Sequence, residues 1–365
     1  MKYSDVRFLN GLKLRDTGYS KYFSKWKYYT SIYNISSNED KEVMVEEVVE
    51  DYYTEMIFPM LYLSEKDIRD DLRQVSLTKC SVENSTISSA TRGYGQKACR
   101  NVVTEVLFAK STGRGAKSEV DMFLAEDRMR ATIKFKMSNG IVPYPETVRE
   151  YFTMSGGGVQ NFSPERAKAI YSYYTNKNDV VYDSSCGFGG RLVGSYAACN
   201  RLSYIGVEPC TNTYSQLLQL DKYCSKAYRI KESTTEIHCI GSEDFIPDKE
   251  SIDFSFTSPP YFDLEIYGEE STQSIIKFPE YSQWLNGFVY NTMKNIRYGL
   301  KQDKFVGINI KNIPKYPLYD DWLEVSKEVG FILKEEILMS IGSSSNTRHR
   351  GRGENECIMI LQKLN

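Results

Sequence analysis

From Asp179 onward, short apolar runs alternate with longer runs of helical period, and this rhythm points to a doubly wound α/β fold with helices on both faces of a parallel sheet. The expected strands are 179–183, 204–209, 236–241, 253–258 and 305–310, with helices over 190–200, 211–228, 280–300 and 318–329 between them. The end of the chain breaks the rhythm. Residues 331–341 and 356–363 are separated by a polar loop, SSSNTRHRGRGEN, and no helix, so their spacing predicts an antiparallel hairpin.

The first 150 residues carry no such alternation and read as a mainly helical region, which divides the chain into 1–150 and 151–365. KEVMVEEVVEDYYTEMIFPMLYL and the run after Gly95 look helical, RATIKFKM alternates like a strand, and Gly156, Gly157 and Gly158 are the expected hinge before the sheet. With 365 residues, 41% of them hydrophobic, the chain can bury a full core. No run approaches the roughly 18 apolar residues of a membrane helix, and the start lacks a secretory signal, so the expected location is the cytoplasm without membrane attachment. Eight cysteines without a C-x-x-C pair and two histidines argue against a metal site. A net charge of −2 gives no global pull toward a polyanion. Locally, residues 1–36 hold seven Lys or Arg against two Asp, whereas 37–75 hold twelve acids against four bases. In the first stretch, basic residues Lys13 to Lys27 interleave with aromatics; this mixture suits packing better than gripping a nucleic-acid strand.

The candidate site begins where the first strand ends. VVYDSSCGFGGRL places Asp183 at a strand terminus, followed by Cys186 and a turn containing Gly187 and Gly189 that opens a helix; such a turn lets backbone approach a nucleotide-like ligand. The spacing is not that of a phosphate cradle. Glu208, at the end of the next strand, is positioned to accept both hydroxyls of a ribose, and in residues 241–245, after the third, an acid or its neighbouring backbone meets an adenine amino group.

In FSFTSPPYFD an apolar strand runs straight into Ser258, Pro259, Pro260 and Tyr261. The prolines end the strand and stiffen the turn, holding the Ser258 hydroxyl and the Pro259 carbonyl as acceptors beside an aromatic ring. An exocyclic amino nitrogen is a poor nucleophile because its lone pair is delocalised into the base. Two acceptors on its two N–H groups favour a pyramidal nitrogen, while Tyr261 stacks on a base swung out of a helix.

At these residues the chain resembles the DNA amino-methyltransferases, the N6-adenine and N4-cytosine enzymes, over roughly 160–365. The resemblance implies a class I, Rossmann-like methyltransferase fold, S-adenosylmethionine as cofactor and double-stranded DNA with a flipped base as substrate. It makes residues 183–190 the cofactor loop, Glu208 the ribose acid, Asp244 the residue near the cofactor adenine, and Phe162, in GVQNFSPERAKAIYSYY, a contact to the methionine end. It makes Ser258–Tyr261 the catalytic tetrapeptide, whose leading Ser is commoner among N4-cytosine enzymes. The loop departs from the family's Asp-Pro followed by Phe-x-Gly-x-Gly, with Ser184, Ser185 and Cys186 in its middle. Arg348, Arg350 and Arg352 are the candidate phosphate contacts. Target recognition falls to residues 1–150, to the insertion after Tyr261, or to a partner restriction or recognition subunit. Two other readings are an RNA or protein amide N-methyltransferase and a non-catalytic DNA-binding module that kept the fold.

Overall fold

The structure, a computed structural model, describes residues 2–9, 18–87, 92–112, 116–198, 201–230, 234–339 and 357–364. Seven strands form its main sheet: β1 (Val180–Asp183), β2 (Ser203–Val207), β3 (Thr235–His238), β4 (Ile252–Thr257), β5 (Leu300–Ile310), β6 (Phe331–Met339) and β7 (Cys357–Lys363). Their order is β3-β2-β1-β4-β5-β7-β6, parallel throughout except for β7, which is antiparallel to both neighbours. This is the strand order of the class I, Rossmann-like methyltransferase fold. Past β6 the sheet continues into a small hairpin, Val82–Glu83 and Thr86–Ile87, whose second strand runs parallel to β6.

β4 is buried at all six positions, as a central parallel strand covered on both faces must be. One face receives α1 (Pro164–Tyr174) through edge-on contacts of Tyr171 with Phe254 and Phe256. α2 (Gly190–Ala197), α3 (Thr211–Tyr228), α4 (Tyr290–Gly299) and α5 (Leu318–Val329) complete the crossovers. The helix expected over 280–300 is interrupted by a π turn at Leu285–Val289, a one-residue insertion that rephases the faces on either side of it.

Two compact units interleave along the sequence: Met1–Asp67 with Val106–Gln160 and Leu264–Tyr267, and Ile68–Glu105 with Asn161–Asp263 and Gly268–Asn365. In the first, Trp26 is fully buried, stacks on Tyr52 at 4.9 Å between centroids and donates to Asp51 at 2.8 Å. Lys21 pairs with Glu55 and Lys25 with Asp51. Lys21, Lys25 and Trp26 of the basic and aromatic N-terminal stretch are therefore spent on packing and ion pairing. Residues 130–137 correct the sequence reading, since they lie in a helix, Glu126–Ser138. Its buried positions are Met129, Thr132, Ile133, Lys136 and Met137, a period near four, while Phe135, whose alternation with Ile133 and Met137 suggested a strand, is exposed. The glycine triplet is tied into this unit: Gly157 donates to Lys117 O at 2.8 Å and accepts from Ser111 N at 2.5 Å, and Gly158 bridges to Lys110. No helix among the described residues is long and apolar enough to cross a membrane.

Candidate active site at the carboxyl ends of the strands

The turn after β1 is held from below by a buried ion pair. Arg191 Nε lies 2.9 Å from Asp183 Oδ2, with the two side chains 4% and 0% exposed, and the guanidinium also donates to Ser185 O. Tyr204 on β2 donates to the same Asp183 oxygen at 2.8 Å, and Ser185 N donates to Oδ1 at 3.2 Å. Burial works against the Arg191 charge, but Asp183 outweighs it and leaves the guanidinium pKa raised. Asp183 thus shapes the turn from inside. Cys186 does the same: its amide pairs with Val207 O at 2.9 Å, its thiol lies against Gly206, and burial pushes that thiol well above its ordinary range.

Above this base the backbone turns through Gly187 and Gly189, whose φ angles of +53° and +83° lie in the left-handed region that favours glycine. Gly190 is required for a different reason. A Cβ there would stand 1.9 Å from the carbonyl oxygen of Phe162, so α2 can start only where that backbone passes. Asn161 fastens the same crossing, accepting from Gly190 N and donating to Phe188 O, both at 3.2 Å. Phe162 places its ring edge-on to Phe256 at 5.4 Å and under the Arg191 guanidinium at 5.8 Å.

Glu208 closes the turn from the end of β2. Its Oε2 accepts from Gly187 N at 3.1 Å and its Oε1 from Cys210 N at 3.0 Å. Burial pushes its carboxyl up to about 7, against the pull of these two amides. Asp244 stands apart: it is half-exposed and pairs with Lys277, which also binds Glu243 at 2.8 Å. Glu270 accepts from Thr211 N at 3.2 Å and Thr272 donates to Pro209 O at 3.0 Å, so the insertion after Tyr261 spends residues 270–277 on the ends of β2 and β3.

At the end of β4, Ser258 Oγ accepts from Asn309 Nδ2 at 3.1 Å, and Pro259 and Tyr261 are buried. Phe262 follows at φ +52°, its ring packed against Tyr281, Trp284 and Tyr316. Asp183, Cys186, Gly187, Gly189 and Glu208 are therefore brought together, Ser258 to Tyr261 cap the adjacent strand β4, and Phe162 touches both groups through Arg191 and Phe256. Arg348, Arg350 and Arg352 lie outside the described residues. Sequence reading missed Asn161, Arg191, Tyr204, Lys277 and Asn309, whose side-chain hydrogen-bond partners lie between 6 and 65 positions away.

Two observations bear on whether this donor set suits S-adenosylmethionine. Glu208 is a buried carboxylate beside a glycine turn, matched to a ribose diol. Ser184 Oγ and Thr257 Oγ1, at the ends of the neighbouring strands β1 and β4, are buried without a partner among the described residues, a state that costs about 1–3 kcal/mol for such a group. Both suit a ligand with polar groups laid across these strand ends. Among the described residues no cluster of three His, Cys, Asp or Glu side chains is placed to hold a metal ion.

No family model and no curated protein matches the sequence. Similar solved structures include a TehB-like SAM-dependent methyltransferase from Corynebacterium glutamicum, with 12% identity, 59% of this chain and 94% of that one covered, and a TM-score of 0.36. A SAM-dependent methyltransferase from Methanosarcina mazei shows 11% identity over 53% and 97% of the two chains at 0.37. TrmN from Thermus thermophilus shows 14% over 55% and 49% at 0.35. The strand order β3-β2-β1-β4-β5-β7-β6 carries the fold by itself.

Proposed function

We propose that the chain transfers a methyl group from S-adenosylmethionine to an exocyclic amino group of a DNA base, N4 of cytosine in preference to N6 of adenine. The observation that carries the reading is the placement of Ser258-Pro259-Pro260-Tyr261 at the end of the buried strand β4, next to β1 and its glycine turn closed by Glu208. S-adenosylmethionine, when bound, supplies an electrophilic methyl group. Glu208 holds the ribose hydroxyls, the Gly187–Gly189 turn admits the cofactor to the backbone, and Ser258 and the Pro259 carbonyl accept the two N–H groups of the target amine. Ser258 is a neutral hydroxyl with little capacity to keep a proton, so the proton released from the methylated nitrogen passes to water.

The test is incubation with labelled S-adenosylmethionine and, separately, unmethylated DNA and RNA, followed by digestion to nucleosides and mass spectrometry. N4-methylcytosine from DNA is expected. N6-methyladenine would keep the mechanism and change the base, and label in RNA alone would change the substrate class. Cofactor binding without transfer would favour a non-catalytic module.

Cofactor affinity should depend on pH through Glu208. Ribose hydroxyls donate to the ionised carboxylate, so binding is expected to weaken as pH falls below about 7 and to level off above it. For the free protein the sign is opposite. A carboxyl raised from 4.5 to about 7 costs stability progressively as pH rises between those values. Titration calorimetry from acid to neutral pH checks this, and Glu208→Gln should bind more weakly with a flatter profile. A wild-type affinity that ignores pH across this range would count against the assignment.

A further inference from the structure

We infer that Asn309 is a positioning residue that fixes the Ser258 hydroxyl as a hydrogen-bond acceptor, an inference that rests on the catalytic reading of Ser258. The juxtaposition comes from strand register. The last paired residues of β4 and β5 are Thr257 and Ile308, so the next residue on each chain, Ser258 and Asn309, come side by side, and Asn309 Nδ2 reaches Ser258 Oγ at 3.1 Å. On its other side β5 is clamped by β7, with Asn309 opposite Ile358 and Ile310 opposite Cys357. The amide is thus held by a strand paired on both edges.

Asn309 is an unexpected residue for its place. It is 2% exposed, between Ile308 and Ile310 at 0%, and an aliphatic side chain there would avoid desolvating an amide. A hydroxyl carries one donor and two acceptor lone pairs. The Asn309 N–H occupies one lone pair and selects one of the three staggered positions of Oγ, leaving the second lone pair for an N–H of the target amine. Without that donor the hydroxyl is free to rotate and to turn its own proton toward the amine nitrogen, which would tie up the lone pair that must attack. Asn309 touches no reacting atom in this scheme; it acts through Ser258.

The experiment is a double-mutant cycle on the full chain with unmethylated DNA, comparing wild type, Asn309→Leu, Ser258→Ala and the pair, with cofactor affinity measured alongside. Asn309→Leu is expected to lower kcat about tenfold with the KM for DNA and the cofactor affinity unchanged. In the Ser258→Ala background the same change should cost nothing further. An equal loss in both backgrounds, or weakened cofactor binding, would assign Asn309 a purely structural role and overturn the inference. An unchanged kcat in Asn309→Leu would overturn it while leaving the proposed function standing. A wild-type chain that binds cofactor but methylates no DNA would overturn both.

Discussion

Asp183→Asn is expected to destabilise the chain by about 3–5 kcal/mol, because it leaves the Arg191 guanidinium buried without a counter-charge. That is a large share of the roughly 5–15 kcal/mol that separates folded from unfolded states in most domains. An Asn amide oxygen can still accept from Tyr204, so the loss reports the charge more than the hydrogen-bond count. Arg191 reaches Ser185 O, and the turn it steadies carries Gly187, whose amide binds Glu208. Cofactor affinity should therefore fall together with stability. Urea unfolding of Asp183→Asn, Arg191→Met and the double variant separates the contributions. The double variant should recover part of the loss, since replacing both members of a buried ion pair is far milder than orphaning one. A single variant as stable as wild type would mean that water or a neighbour compensates the guanidinium.

The sheet was legible in the sequence because parallel strands buried on both faces must be nearly continuous apolar runs. β4, IDFSFT, is buried at all six positions, and the polar loop between β6 and β7 marked the hairpin by the absence of a helix. The positions of Asp183, Glu208 and Ser258 at strand ends were legible, because each stands where an apolar run stops. Asn309 was not. Its amide stands out within FVGINI, but nothing local ties it to Ser258, which lies 51 positions earlier and meets it only through the β4–β5 register. Arg191 was visible in the glycine turn, yet its burial under Asp183 follows from left-handed backbone at Gly187 and Gly189 that spacing alone does not encode.

The N-terminal region was legible as mainly helical, but one segment and the unit boundary were not. In RATIKFKM, Ile133, Phe135 and Met137 alternate, and only the flanking Met129 and Thr132 complete the helical period that the folded chain uses. The division into units was hidden because it depends on short non-local pairings. Residues 264–267 group with the first unit through Lys110↔Ile266 and Ser111↔Glu265, two pairs contributed by an insertion whose neighbours belong to the second unit. A boundary of that kind leaves no trace in composition.

Ser258→Ala should lower kcat about 100-fold, equivalent to ~2.7 kcal/mol of transition-state stabilisation, with little change in cofactor affinity. The magnitude follows from the role. Within the proposed mechanism the Ser258 oxygen accepts an amine N–H that becomes a stronger donor as the nitrogen gains positive charge, so the interaction is worth more in the transition state than in the ground state. The Pro259 carbonyl and Tyr261 remain in the variant, so binding of the base should change less than turnover, and the loss should appear in kcat with KM for DNA nearly constant. Stability should fall by about 1–3 kcal/mol, because the variant takes the Ser258 acceptor away from the buried Asn309 amide. Single-turnover methylation of unmethylated DNA at saturating cofactor measures the step directly. A variant that turns over at the wild-type rate would remove Ser258 from the chemistry and leave the Pro259 carbonyl as the acceptor to be tested next.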